Sequence, residues 1–542
     1  MAPSPNVAVI GAGTGGLALA IALKRQLSYD NFTIYEKASE VGGTWRDNTY
    51  PGCASDIAMP WYSFSTDLHD WTHSHGFQPV IHAYWIGLAR KYDLYPHIAF
   101  NHAVISAEWD SAAQVYRIIT RNTITGEEKT VTANILISAV GILDVPRYAS
   151  IRGVREFKGK MFHSARWNET VKLVGKRVAV IGNGASATQF VPIITQDPAV
   201  QVMQFCRTPY WLLPSAHSEY SPLRRWLTRN LFFLMRFWRW MVFVKMEVLY
   251  IAVFRFAILR KLVMKYSTNY IKKHAPAKDV KDLIPTYPMG CKRILFDTNY
   301  LAALHRPNLA LNWDGIEVVT EGGILTKKGE TIPFDVLIFA TGFATDQYPI
   351  PVRGNKGKTI QEYYEAEEGA KAYLGTSIPG FPNFFTVFGP NTATGHASVI
   401  YTSEIQAKYI TQLIKPILAQ KATSLEIKVN ATDAYNEKIQ ARLSRSVFPH
   451  CSSWYRVGGA GKITNIFPGA AVTFWAWLRK VNWDHYIVEG GDKQRAERRR
   501  WGRLIKRLLL LITVMGGVYV RQSPRFSLSK LRLARWLPAV IV

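Results

Sequence analysis

Cysteine is scarce in this chain. Its 542 residues hold four, Cys53, Cys206, Cys291 and Cys451. They are far apart and form no CxxC and no Cys/His cluster, which argues against a disulfide framework or a structural zinc site. The thiol pair of a disulfide reductase is missing as well, and a reducing, intracellular compartment is expected. Long apolar runs are missing: Leu508–Val520 covers 13 residues, whereas a simple membrane span needs about 20. No secretory signal is seen, because Val7–Ile10 leads directly into a glycine turn, so the mature chain is expected to begin near Met1. Short-period repeats and low-complexity tracts are absent too. With 48% apolar residues, the chain has the composition of a globular protein of two or three domains.

Acidic residues are also few, 39 against 66 Lys and Arg, for a net charge of +27. Two stretches carry +23 of it: Leu223–Lys273 has 12 basic residues against Glu247 alone, and Lys493–Val542 has 13 against Glu497 alone. Both are rich in apolar and aromatic residues, among them Trp226, Phe232, Phe233, Phe237, Trp238 and Trp240. Cations beside apolar faces suit an anionic membrane surface better than nucleic acid, which is not expected as a partner. Peripheral helices lying in the interface are expected, with a short C-terminal anchor as the alternative. The catalytic body would then be cytoplasmic and membrane-associated.

Periodicity predicts an α/β fold. Asn6–Ile10, a glycine turn, a helix to about Leu27 and Phe32–Glu36 form a βαβ unit, and a second unit opens at Arg177–Ile181. The strand-like segments Ile135–Ser138 and Val336–Ala340 each run into glycine. This order predicts two Rossmann-like dinucleotide-binding domains, the second inserted in the first. The expected boundaries are 1–150 plus 374–490 for one domain and 151–373 for the other. A helical, basic and apolar insertion is expected over 215–275, followed by the separate tail 491–542.

Gly11, Gly13 and Gly16 make a GxGxxG turn between strand and helix, which lets a pyrophosphate approach bare backbone at a helix N-terminus. Glu36 ends the next strand, where a carboxylate binds ribose hydroxyls and suits FAD or NAD. The second turn carries Gly182, Gly184, Ala185, Ser186 and Ala187, with Ala in the third glycine position. Its next strand ends in Arg207-Thr208 rather than an acid, and Arg207 suits a 2′-phosphate, favouring NADPH. Two dinucleotide sites in one chain make hydride transfer from nicotinamide to flavin the natural proposal. Without a CxxC to receive the electrons, molecular oxygen remains.

Two further segments carry a family resemblance. Phe157–Asn168 is similar to FxGxxxHxxxW(P/D), the fingerprint of Baeyer-Villiger monooxygenases, departing at Asn168, where Pro or Asp is usual. Gly42–Asp56, GGTWRDNTYPGCASD, matches that family's [A/G]GxWxxxx[F/Y]P[G/M]xxxD at every specified position. The resemblance runs from about Val7 to about residue 480. It implies that FAD and NADPH are the cofactors and that a ketone and oxygen are the substrates; the basic, apolar stretches suggest that the ketone is apolar and bulky. It further implies that a C4a-peroxyflavin attacks the carbonyl to give an ester or lactone. Oxidation of nitrogen or sulfur, or carbon hydroxylation, is the alternative, to which Asn168 lends weight.

By the same resemblance Arg293 is the fixed cation that stabilises developing negative charge, a role suited to a group that stays protonated near neutral pH. Asp56 would hold and orient it. Lys292 would contact the NADPH 2′-phosphate. Thr44, Trp45, Arg46 and Asp47 resemble the segment along the flavin, and Tyr62 is similar to an aromatic that flanks it. Val104 resembles a backbone contact to the FAD adenine, and Ala54 and Ser55 would lie between flavin and nicotinamide. Trp454 resembles a tryptophan reaching into the active site, with a core position as the alternative. His163 is implied to be a linker residue and His396 part of a flavin-side loop; neither is assigned catalysis.

Overall fold

The computed structural model describes residues 4–490 apart from Ala216. The tail 491–542, for which a membrane role is expected, lies outside the described residues. Two five-stranded parallel sheets organise the chain. The first runs Phe384–Thr386, Ile135–Ser138, Val7–Ile10, Phe32–Tyr35, Ile98–Ala99 across its width. The second runs Leu309–Asn312, Gln201–Phe205, Arg177–Ile181, Val336–Phe339, Lys160–His163. Their inner strands are buried along their length, as the apolar runs VAVI, ILI and VLIF require of strands covered on both faces.

The two glycine turns are built alike. Gly11 and Gly182 both have positive φ, +96° and +110°, and a Cβ on either would press on the carbonyl oxygen after the neighbouring strand, 3.0 Å from that of Ala139 and 2.5 Å from that of Ala340. Only glycine lets the chain turn there, against the strand that closes each half. The helices Thr14–Leu27 and Ala185–Ile194 follow, each beginning at a glycine without a side-chain cap. Their first amides are thereby left free for a ligand.

The first unit regains the chain earlier than residue 374. Val352–Arg353 pairs parallel with His102–Asp110, at the edge of the antiparallel sheet formed with Val115–Asn122 and Glu128–Ala133. Val352, Ile360 and Tyr364 pack in one core with Ala8, Ile10 and Val104. The expected crossover is therefore corrected by about twenty residues. A two-residue edge strand carries too little pattern to be read in advance.

Three helices, Pro222–Asn230, Phe232–Tyr250 and Ala257–His274, occupy the basic insertion. No described helix is long and apolar enough to cross a membrane. The cysteines need a correction too: Cys291 and Cys451, 160 residues apart in sequence, are joined as a disulfide with a Cα–Cα distance of 6.0 Å. The fold makes neighbours of two loops whose spacing in sequence gives no hint of it. Cys53 and Cys206 are free and buried.

Candidate active site

Both glycine turns open onto a single cleft of about 1530 Å³. On its first side stand Gly11, Gly13, Thr14 and Glu36. Glu36 is buried, and its carboxylate accepts from the backbone N–H of Ala12 at 2.7 Å and of Ala38 at 2.9 Å. An acceptor fixed at the strand end suits ribose hydroxyls. A Cβ at Gly43 would come 2.9 Å from the Gly13 Cα, so the two glycines keep this wall as bare backbone. Gly16 does not line the cleft; a Cβ there would lie 2.0 Å from the Gly11 oxygen, which makes it a packing glycine.

Thr44, Trp45, Asp47, Ala54, Ser55 and Tyr62 line the next part of the wall. Trp45 Nε1 donates to the Tyr62 hydroxyl at 2.9 Å, and burial raises the Tyr62 pKa, keeping the phenol protonated. Arg46 turns away from the cleft to pair with Asp47 at 2.8 Å, and Arg166, from the Phe157–Asn168 fingerprint, reaches the other Asp47 oxygen at 3.5 Å. Val104 is buried in the second core and paired with Thr120, off the cleft wall.

Across the cleft Gly182, Gly184, Ala185 and Ser186 face the first turn, while Ala187 is buried beneath them. Arg207, Thr208 and Lys292 gather beyond. Lys292 is buried, donates to Thr208 Oγ1 and lies between the rings of Tyr210 and Tyr287, 5.3 and 5.1 Å from their centroids. Burial, helped by the charge of Arg207, lowers its pKa to about 8. Neither cation has a carboxylate partner among the described residues. Two desolvated or adjacent cations without a counterion suit a phosphate.

Arg293 lines the same cleft as the two glycine turns. Its Nε and Nη2 donate to Asp56 Oδ2 at 3.1 and 2.7 Å, with 41% of its side chain still exposed to the cleft. Burial opposes its charge, but Asp56 more than offsets this, and its pKa lies above the ordinary arginine value. The charge is permanent at any working pH. Gln189, on the helix after the second glycine turn, was not among the expected site residues. Its Nε2 donates to Asp56 Oδ1 at 3.3 Å and to the Ala54 carbonyl at 3.2 Å, and its Oε1 accepts from the Tyr50 hydroxyl at 2.9 Å. The available signal is a long polar side chain in a largely apolar helix, next to Phe190 and Val191.

The fingerprint histidine is no base. His163 is 1% exposed, and its Nδ1 accepts the Ala165 N–H at 3.0 Å, which requires that nitrogen to be unprotonated. Burial, with Arg166 nearby, lowers its pKa to about 4. Trp167 packs on Phe162 and Phe190, so the fingerprint joins the edge of the second sheet to the helix bearing Gln189. Asn168 Oδ1 accepts from the Thr170 N–H at 3.1 Å and its hydroxyl at 2.7 Å. An aspartate oxygen would make the same turn, so the departure at Asn168 is conservative. Trp454 and Tyr455 line the cleft opposite, their rings 4.6 Å apart. His396 bonds Glu247 of the insertion at 3.0 Å, away from the reacting centre.

Fold and cleft define an oxidoreductase with two dinucleotide cradles facing one fixed cation. Residues 4–451 match the family model of flavin-binding monooxygenase-like proteins, and the chain belongs to that family. A Baeyer-Villiger monooxygenase of Pseudomonas aeruginosa is 37% identical over 490 residues, 89% of this chain and 91% of that protein. An FAD-binding monooxygenase of Aspergillus niger is 34% identical, covering 96% of this chain and 89% of its own. Among solved structures, OTEMO in complex with FAD and NADP superposes with a TM-score of 0.80 at 26% identity, over 90% of this chain and all of that one. A steroid monooxygenase bound to NADP gives a TM-score of 0.77 at 26% identity, over 90% of this chain and 99% of its own.

Proposed function

We propose that this chain is an FAD-dependent, NADPH-consuming Baeyer-Villiger monooxygenase, which inserts one atom of O2 beside a ketone carbonyl to give an ester or lactone and releases the other as water. The observation that carries the reading is the Arg293–Asp56 pair lining the one cleft onto which both glycine turns open. Bound FAD supplies the redox chemistry, accepting a hydride from the nicotinamide and passing electrons to oxygen.

The protein's own part is to hold, orient and charge the site. Gly11, Gly13 and the helix N-terminus at Thr14 receive the FAD pyrophosphate, and Glu36 its ribose. Thr44, Trp45 and Asp47, with Tyr62, would border the flavin ring, and Ala54 and Ser55 would lie between it and the nicotinamide. Gly182, Gly184, Ala185 and Ser186 receive the second pyrophosphate, while Arg207, Thr208 and Lys292 hold the 2′-phosphate. Arg293 keeps a positive charge where negative charge builds on the reacting oxygen and cannot quench it by proton transfer. Asp56 accepts two of its N–H groups and fixes the direction of the remaining ones. The apolar side chains that line the cleft, Ile57, Val387, Phe388, Ala393 and Trp454 among them, suit an apolar ketone. Peripheral contact of the insertion helices with a membrane completes the reading.

The test is turnover of a ketone panel by the FAD-loaded full chain with NADPH, products being read by mass and NMR connectivity. An ester or lactone is expected. NADPH consumption that yields only peroxide, or oxygen found on nitrogen or sulfur in a panel of amines and sulfides, overturns it.

A further inference from the structure

Fifteen of the twenty-eight large apolar side chains exposed among the described residues lie between Leu223 and Tyr266. Their spacing is helical. On Phe232–Tyr250 and the turn after it, Phe233, Phe237, Trp240, Met241, Val248 and Ile251 form a single outward stripe. The opposite stripe, Arg239, Val242, Phe243, Met246 and Leu249, is packed on the catalytic body. The third insertion helix repeats the arrangement, with Ile258, Leu262 and Tyr266 outward and Ser267 and Ile271 buried. Exposure is high, 75% at Phe232, 55% at Trp240 and 77% at Ile258.

Cations border the stripes. Arg236, Lys245, Arg255, Lys261 and Lys265 have no carboxylate partner among the described residues; the acids of this corner are already engaged, Asp70 with Arg225 and Arg229, Glu404 with Arg239, and Glu247 with His396. The face is therefore apolar and aromatic with an unneutralised positive fringe. A second copy of the same face would bring like charges together. The tail 491–542, itself with 13 basic residues against two acids, brings no net countercharge. An anionic bilayer supplies both what the rings and what the cations lack.

We propose that the stripe Phe233–Ile251, with Ile258, Leu262 and Tyr266, seats the enzyme on an anionic lipid surface, aromatic rings at the level of the acyl boundary and the arginines and lysines among the headgroups. The inner side of the same helix reaches the cleft wall. Met246 packs with Trp61 and Ala397, Glu247 bonds His396, and Ala397 lines the cleft. One helix thus lies between the lipid-facing stripe and the cleft wall. The seating does not rest on the monooxygenase reading.

Flotation of the full-length, FAD-loaded chain with vesicles of phosphatidylcholine alone, or of phosphatidylcholine with phosphatidylglycerol, tests the seating. Binding to the anionic vesicles, weakened by salt, is expected. Phe233→Ala with Phe237→Ala and Trp240→Ala, or separately Arg236→Glu with Lys245→Glu, should lower that binding by at least about tenfold and leave NADPH oxidation in buffer unchanged. Undiminished binding by both variants would assign the membrane contact to the tail and overturn the proposal. A dimer of the unmodified chain that the triple alanine variant dissociates would also overturn it, by giving the face to a second copy. Vesicle binding is read without any ketone, so failure of the catalytic reading leaves this result independent.

Discussion

Gln189 Nε2 donates to Asp56 Oδ1 at 3.3 Å, leaving the other carboxylate oxygen to Arg293, whose Nε and Nη2 both bond Oδ2. The carboxylate is thus gripped from both sides. One grip comes from the helix that opens the second dinucleotide cradle, the other from the Lys292-Arg293 loop. The position of the cation is consequently tied to the helix Ala185–Ile194 that follows the second glycine turn.

Separating the charge from its support gives the first prediction. Arg293→Ala should retain anaerobic flavin reduction by NADPH while ester formation falls at least about a hundredfold, the scale for removing one electrostatic contact to developing charge. Gln189→Leu keeps the charge and loses the brace on Asp56 and Ala54. Its cost should be smaller, about fivefold to thirtyfold, as for about 1–2 kcal/mol lost with the bonds to the Asp56 carboxylate and the Ala54 carbonyl together. The loss should fall on ester formed per NADPH consumed, with the KM for NADPH little changed. Equal losses in flavin reduction and in ester yield would show that Gln189 acts on the fold rather than on Arg293.

The role proposed for Lys292 predicts a cofactor affinity that depends on pH. Burial, with Arg207 beside it, brings its pKa down to about 8 in the ligand-free enzyme. Below that value the ammonium is present for the 2′-phosphate; above it the charge is lost unless binding returns the proton. The KM for NADPH should therefore rise above pH 8, approaching about tenfold per pH unit, while that for NADH stays nearly flat. Lys292→Met should remove the pH dependence and raise the KM for NADPH about tenfold to a hundredfold, as for a hydrogen bond of about 1.5–3 kcal/mol to a charged group. Steady-state kinetics with both cofactors from pH 6.5 to about 9.5, on either side of the lysine value, decides it. A flat NADPH profile would remove Lys292 from phosphate binding.

What could be read in the sequence was what local chemistry dictates. Gly11 and Gly182 are legible because a strand that turns sharply into a helix against a neighbouring carbonyl admits no other residue, and Glu36 because it ends the strand that follows. Arg293 and Asp56, 237 positions apart, were paired through a family resemblance; spacing alone offered no reason to join them. The same separation hid Cys291 and Cys451, and no motif linked them. Gln189 was overlooked because its partners, Tyr50, Ala54 and Asp56, lie on another unit of the chain. The basic insertion was legible as helices with a special surface, but only the packing of Arg239, Met246 and Glu247 shows which stripe faces outward. Long-range partners are set by how the two sheets meet, and that information is spread over the whole core.

Two buried histidines predict how the fold responds to acid. His75 and His163 both have pKa values lowered from the usual 6.5 to about 4, chiefly by burial, with His217 adding to the effect at His75 and Arg166 at His163. In the folded chain both are neutral through the whole interval from 6.5 down to about 4, whereas in the unfolded chain both take up a proton there. The unfolded state binds more protons over that window, so stability falls as the pH falls, by up to about 1.4 kcal/mol per pH unit for each histidine. At His163 the reason is concrete: protonating Nδ1 would convert the acceptor of the Ala165 N–H into a second donor facing it. Denaturant unfolding between pH 7 and about 4.5, inside the window in which only the unfolded histidines are charged, should show this slope. His163→Asn keeps an acceptor at the same reach and does not titrate, so it should lower the slope by close to one proton's share. A variant whose stability falls with pH as steeply as that of the parent would show that His163 is not among the groups that set the acid limit.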